Sequence, residues 1–151
     1  MEACPFCRPD QALPFATGGI LYEDDLVYAH HYGRGEEPTY LGHLMLMTRR
    51  HVLGFTDLTE AEAQAIGLSV ARLSKALKAC TGAEKVYLEA YYEVNPHLHL
   101  HLTARYPGTP EEYWRWQLSS WPEAPEGGPT EITDLCNRLR AYLAQTTLSS
   151  S

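Results

Sequence analysis

His97, His99 and His101 alternate with Leu98, Leu100 and Leu102 in one short run. Successive side chains of an extended strand point to opposite faces, so this run places three imidazoles on one face and three leucines on the other. The leucines can enter a core while the imidazoles remain available. Imidazole titrates near neutrality and carries both a lone pair and an N–H, so such a row offers a nucleophile, proton donors and metal ligands in one place. Taken singly, a histidine is usually a satisfied surface or core residue. Three of the chain's seven at strict period two are poorly explained by packing.

A second group with chemistry to offer is Cys4-Pro5-Phe6-Cys7. The C-x-x-C spacing lets two thiolates grip one tetrahedral metal ion, and a redox pair is the other reading of the motif. Arg49, Arg50 and Arg105 could attract phosphate, since guanidinium matches its oxygens bidentately. Arg105 is expected on the face opposite the histidines.

These residues carry a family resemblance. His97 to Leu102 resembles the His-φ-His-φ-His-φ-φ signature of the histidine-triad superfamily, with Thr103 in place of the last apolar residue. Tyr40 to His51, YLGHLMLMTRRH, is similar to that family's strand reached through a Gly-His pair and left through a basic turn into a histidine. Residues 101–106, HLTARY, are similar to its exit from the triad strand, and the resemblance spans roughly positions 4 to 106. It implies that His99, the middle histidine, attacks the α-phosphorus of a nucleotide, and that His101 contacts phosphate as a hydrogen-bond donor. It also implies a small nucleoside phosphate as substrate, either a dinucleoside polyphosphate, as for bacterial hydrolases of this family, or a nucleoside phosphoramidate.

His51 and His97 match positions that complete a Cys-Cys-His-His site with Cys4 and Cys7 in zinc-bearing members and in the related hexose-phosphate uridylyltransferases. The latter also carry an Asn-Pro-His-x-His pattern like Asn95 to His99. The resemblance therefore implies a structural zinc, closed by four ligands, and a homodimer that continues the sheet across a two-fold axis.

The departures narrow what can be carried over. Many members have Gly-Gln-Ser before the triad, where this chain has Tyr92, Glu93, Val94, Asn95 and Pro96. Tyr32 stands at about the place of the usual ribose-binding aspartate. Asn95 is a candidate substrate-binding donor, although asparagine before proline is equally a turn pair. Two alternatives to an enzyme follow: a nucleotide-binding module without significant turnover, and a zinc-stabilised interaction protein that uses its tryptophan-rich segment.

The elements that must position these groups fit a single domain of 151 residues. Val27 to His30, Tyr40 to Met47, Lys85 to Tyr92 and His97 to Thr103 have strand composition. Ile66, Val70, Leu73, Leu77 and Cys80 form one helical stripe, with a capping-box pattern at Thr59 and Glu62 and a stop at Gly82. A second helix is expected over residues 131–145, with Cys136 as a core thiol. Strands and helices do not alternate as a doubly wound sheet requires, so the fold is expected to be α+β, one antiparallel sheet of about five strands with two main helices. Residues 107–129 hold five prolines, three glycines and all three tryptophans, which predicts an irregular packed segment covering a core edge or forming a partner or ligand surface.

Composition excludes other classes. A hydrophobic content of 44% with 21% charged residues is that of a folded globular protein. A net charge of -7 argues against gripping long nucleic acid through phosphate contacts. There is neither an 18-residue apolar run nor a secretory signal pattern, so no membrane partner is expected and the cytoplasm is the expected compartment. There, four cysteines are not expected to form a disulfide framework.

Overall fold

A computed structural model describes residues 4–8 and 16–145. In chain order the elements are β1 (Ile20–Glu23), β2 (Val27–His31), β3 (Thr39–Tyr40), β4 (His43–Thr48), α1 (Glu60–Thr81), β5 (Lys85–Glu89), β6 (His99–Arg105), β7 (Glu126–Gly127) and α2 (Pro129–Gln145). Five strands form one antiparallel sheet in the order β1-β2-β4-β6-β5, and β3 pairs separately with β7. The fold is α+β, as expected from the sequence.

The period-two pattern divides the sheet into two faces. Val27 and Ala29 of β2, Leu44 and Leu46 of β4, and Leu100, Leu102 and Ala104 of β6 share one core with Ile66, Leu73 and Leu77 of α1 and Ile132, Leu135 and Leu139 of α2. Both helices therefore cover a single face, and the other is left for chemistry. There Tyr28, Met45 and Met47 pack with Phe6 in a smaller cluster. Fully burying each large aliphatic side chain contributes roughly 1.5–3 kcal/mol, so the leucines of β6 fix the strand's orientation and thereby the side its histidines face.

Helix α1 starts and stops where its sequence directs. The Thr59 hydroxyl accepts from the Glu62 N–H at 3.1 Å, and the Glu62 carboxylate accepts from the Thr59 N–H at 2.9 Å. Gly82 closes the helix in the left-handed conformation at φ 73°, its N–H reaching the Lys78 carbonyl. Glu62 also receives both Arg50 nitrogens at 2.8 Å, so the helix start is tied to the turn after β4.

The triad strand begins at His99, two residues later than the sequence suggests. Asn95 and Pro96 bend the chain so that the His97 N–H bonds the Asn95 carbonyl at 2.7 Å, outside any ladder. Strand β5 ends at Glu89 because a turn closes from the Glu93 N–H to the Tyr91 carbonyl. Strand β1 was not anticipated; Asp24 turns the chain out of it, its carboxylate accepting from the N–H groups of Leu26 and Val27.

Arg105 corrects an expectation. It is four residues from His101, an even separation, and so shares the histidine face. Its guanidinium stacks on Trp114 at 4.0 Å and donates to the Tyr87 hydroxyl at 3.1 Å. This contact pins the tryptophan-rich segment, which runs through 3-10 turns at Glu111–Tyr113 and Arg115–Ser120, against the face.

Arg50 and the Thr59 cap hold the Glu62 carboxyl down at about 2. Its stabilisation is therefore complete above the ordinary carboxylate range and disappears as pH falls from about 4.5 toward 2. Glu62→Gln is expected to lower the melting temperature at pH 7 by a few degrees, with the difference from wild type closing in melts recorded near pH 2. A pH-independent difference would assign the effect to packing.

Candidate active site and metal centre

The C-x-x-C turn is held by Tyr28, whose hydroxyl donates to the Phe6 carbonyl at 2.6 Å. That bond sets both thiols against two imidazoles. Cys4 Sγ lies 3.3 Å from His97 Nδ1, and Cys7 Sγ lies 3.3 Å from His51 Nδ1 and 3.6 Å from His97 Nδ1. All four ligand atoms fall within 4.8 Å of one another. A tetrahedral ion with bonds of about 2.0–2.3 Å needs ligand atoms roughly 3.3–3.8 Å apart, which these short contacts match.

The tautomer fits as well. His97 Nε2–H donates to the Thr48 carbonyl at 2.7 Å, which leaves the Nδ1 lone pair directed at the thiols. A backbone carbonyl behind a ligand histidine is the usual way a metal site fixes its ring. Burial, followed by the adjacent Cys4 thiol, pushes the Cys7 thiol up. A cation between the two sulfurs would remove that penalty. These four residues could hold a metal ion.

Directly beside this corner lies His99, 7% exposed, with the Phe6 ring 5.0 Å from its own. Its Nδ1–H donates to the His97 carbonyl at 2.7 Å. Nε2 thus keeps its lone pair, the condition for a neutral imidazole nucleophile. His101 follows on the same face, its ring 5.2 Å from that of His99.

The sequence reading missed His43. Strand β4 pairs with β6 so that Met45 lies opposite His101 and His43 opposite Thr103. Diagonal neighbours on one face remain within reach of long side chains. His43 Nε2 and His101 Nδ1 accordingly share a hydrogen bond of 2.8 Å. The signal was present in the Gly-His pair and in the even spacing of His43, Met45 and Met47.

Gly42 positions His43. It sits at φ 92°, where a side chain is strained, and an added Cβ would stand 3.0 Å from the Ala104 Cβ. Its N–H donates to His31 Nε2 at 2.9 Å, while His31 Nδ1–H donates to the Tyr32 carbonyl at 2.6 Å. His31, also unforeseen, is a buried strut whose pKa burial lowers to about 4.

Two hollows flank His101, and Tyr40, His43, His101 and Ser119 line both. One, of about 510 Å³, extends to Tyr32 and Arg34; the other, of about 250 Å³, extends to Glu89, Tyr91, Arg115 and Trp116. Asn95 contributes its backbone carbonyl to the His97 turn and lines neither hollow. Arg49 is engaged by Glu23 and the Asp24 carbonyl, and Arg50 by Glu62, so both serve as structural ties.

The HIT domain family matches residues 16–108, and the chain belongs to that family. Its fold is similar to a zinc-bound histidine triad family protein from Mycobacterium smegmatis, with 20% identity, TM-score 0.68, and 95% of this chain and 94% of that one covered. A hypothetical histidine triad nucleotide-binding protein from Sulfolobus tokodaii is similar over 93% of this chain and 92% of its own, at 18% identity and TM-score 0.67. A histidine triad protein from Bradyrhizobium japonicum shares 24% identity at TM-score 0.63, with 82% of this chain and 89% of that one covered. No curated protein matches the chain. Among the described residues, no helix is long and apolar enough to cross a membrane.

Burial, then the neighbouring His101, lowers His43 to about 3, and burial, then His99, lowers His101 to about 4. Both rings are therefore expected to stay neutral through pH 6 in an imidazole NMR titration and to gain charge only in acid. Because their ordinary pKa is near 6.5, protonation favours the unfolded chain, and stability should fall as pH drops from 6.5 toward 4. A normal titration of His101 near 6.5 would refute the buried pair.

Proposed function

We propose that this chain is a nucleotide-binding histidine-triad enzyme, a hydrolase or transferase that attacks the α-phosphate of a small nucleoside phosphate through His99. The observation that carries this reading is the 2.7 Å bond from His99 Nδ1–H to the His97 carbonyl, which frees Nε2 on the face shared with His101. In the first step Nε2 forms a bond to phosphorus as the bond to the leaving group breaks, and the leaving phosphate departs with the electron pair. The modified ring is cationic, and the His97 carbonyl stabilises its remaining Nδ1–H. Water, or another acceptor in a transferase, then attacks phosphorus, breaks the N–P bond and returns His99 to its neutral form.

His101 is the donor to the phosphate oxygens in this reading. If His43 Nε2–H donates across their 2.8 Å bond, His101 carries its own proton on Nε2, directed away from His43. Charge that develops on the phosphate oxygens then meets a fixed donor. Asn95 acts by shaping the turn that aims His97. A second reading, nucleotide binding without significant turnover, is favoured by the near-complete burial of His99 behind Phe6 and by Tyr92–Pro96 standing where many members carry Gly-Gln-Ser.

The metal in this reading is a structural zinc on Cys4, Cys7, His51 and His97. Bound there, it would supply a cross-link between the N-terminal turn and the triad, with no position left open for chemistry. The carbonyl of the ligand His97 also orients His99, so the corner sets the nucleophile's aim. The partner is a second copy of the chain. Among the described residues strand β5 hydrogen-bonds only to β6, which leaves an open edge with Leu88 49% exposed. Such an edge is commonly covered by symmetric pairing.

His99→Asn is expected to abolish the covalent nucleotidyl adduct seen by mass spectrometry and to reduce turnover by about three orders of magnitude or more, with nucleotide binding retained. Wild-type turnover in that variant would refute the nucleophile; an unmutated protein that binds nucleotide yet forms no adduct would select the second reading. Protein prepared without chelator should carry about one zinc per chain, and chelation should lower its melting temperature. Metal-free protein with freely alkylated Cys4 and Cys7 would exclude the zinc. Light scattering is expected to give twice the chain mass.

A further inference from the structure

Strand β5 carries a charge at each end and apolar side chains between them, Lys85, Val86, Tyr87, Leu88 and Glu89. Its ladder to β6 sets Lys85 opposite Arg105, Tyr87 opposite Thr103 and Glu89 opposite His101, so these three side chains stand on the histidine face. Val86 and Leu88 stand on the helix side, opposite Ala104 and Leu102. Neither end charge is spent within the subunit. Among the described residues Lys85 and Glu89 take part in no ion pair, and the neighbouring Glu84 is already engaged by Arg105 at 3.5 Å.

The inner neighbour of Lys85 is a cation, Arg105. Like charges directly opposite on adjacent strands cost stability, so the Lys85 ammonium gains from a carboxylate on its outer side. That side is the open edge, where Leu88 is 49% exposed. Lysine at an edge commonly keeps other strands away. Here it is matched by Glu89 at the far end, and a strand with this pattern repels a parallel copy of itself while fitting an antiparallel one.

Antiparallel pairing across a two-fold axis leaves little choice of register. A slip of one residue would set the histidine face of one copy beside the helix face of the other. Of the registers that remain, the one centred on Tyr87 pairs all five residues of the strand. It sets Glu89 against the partner's Lys85, Leu88 against the partner's Val86 and Tyr87 against the partner's Tyr87. The exposed leucine is then covered, and the opposite-charge pair is made twice, as a contact of a surface with itself requires.

We infer that two copies pair β5 to β5 in this register and that Lys85 of the partner subunit completes the smaller hollow. The inference rests on the second-copy reading above and adds to it a register and a residue of the site. Glu89 lines that hollow directly opposite His101, so a lone subunit holds an unpaired carboxylate beside the histidine pair. Such a carboxylate opposes any anion that enters. In the dimer Glu89 lies between His101 and the partner's Lys85, with directly opposite Cβ atoms about 5 Å apart on either side. The partner's Lys85 neutralises the carboxylate, and the hollow becomes an anion site shared by two subunits.

The test treats the full chain with a zero-length carbodiimide, which joins an amine to a carboxylate only where the two already touch, and reads the linked peptides by mass spectrometry. Within one chain Lys85 and Glu89 are about 13 Å apart along the strand, too far for their side chains to meet. A Lys85–Glu89 amide is therefore expected only between copies, and mixing isotope-labelled with unlabelled chains should yield it in hybrid form. Lys85→Glu and Glu89→Lys should each weaken the dimer about tenfold, and mixing the two variants should restore it, since one then offers two carboxylates to two ammonium groups. Lys85→Gln should leave dimers in place and weaken AMP binding about threefold in calorimetry, while Glu89→Gln should strengthen it. A dimer that yields no Lys85–Glu89 amide, or whose charge variants behave alike alone and mixed, overturns the register and leaves the second copy standing. An amide accompanied by an AMP affinity that Lys85→Gln does not move overturns the shared site. A wild type that forms the amide but binds no AMP supports the pairing and defeats the nucleotide reading instead. A monomer at every concentration defeats both the register and the second copy.

Discussion

The arrangement depends on how one residue, His97, is held by backbone. Its ring donates to the Thr48 carbonyl at the end of β4, and its own carbonyl receives the Nδ1–H of His99. The first bond fixes which nitrogen faces the thiols, and the second fixes which nitrogen of His99 is free. A proton on the wrong nitrogen of either ring would leave a carbonyl unpartnered in a buried place, at a cost of about 1–3 kcal/mol. The candidate metal corner and His99 thus share one residue, His97, whose ring faces the thiols and whose backbone carbonyl makes the assignment at His99.

That assignment survives because the sheet gives it no freedom. The β4–β6 ladder sets Met47 opposite His99 and Met45 opposite His101, while Leu46 and Leu100 lock the other face into the core. A one-residue slip would exchange histidines for leucines on both sides at once. Burial of the leucines is what makes the slip prohibitive. Helix α1 and helix α2 lie on the same side, so among the described residues the opposite face is covered by the Phe6 turn at one end and the tryptophan-rich segment at the other. The histidine face lies between those two covers.

Much of this was legible in the sequence, and the remainder failed for identifiable reasons. The period of two in 97–102 and the stripe from Ile66 to Cys80 are local patterns, and each gave its element and its buried face. The capping box was equally local. His43 was not recognised because its role comes from a diagonal contact across strands 58 residues apart in sequence, which no single-strand pattern encodes. His31 was missed for the same reason: its value lies in accepting the N–H of a strained Gly42. The start of β6 was displaced because a Pro-preceded turn overrode the alternation, and Arg105 was assigned to the wrong face although its even spacing from His101 already placed it correctly.

An acidic protein that handles anions must keep its own charge from opposing them. The net charge is -7, yet His43 and His101 on this face are held toward the neutral form, because burial lowers the pKa of both. Neutrality has a chemical use here. A pair of cations this close would repel one another when no ligand is present. A neutral pair can instead polarise toward an anion, the His43 to His101 hydrogen bond and the outward N–H of His101 strengthening one another. The leucine-backed sheet that lowers these pKa values is also what gives each hydrogen bond on the face its strength, because a polar pair beside a packed core is poorly screened.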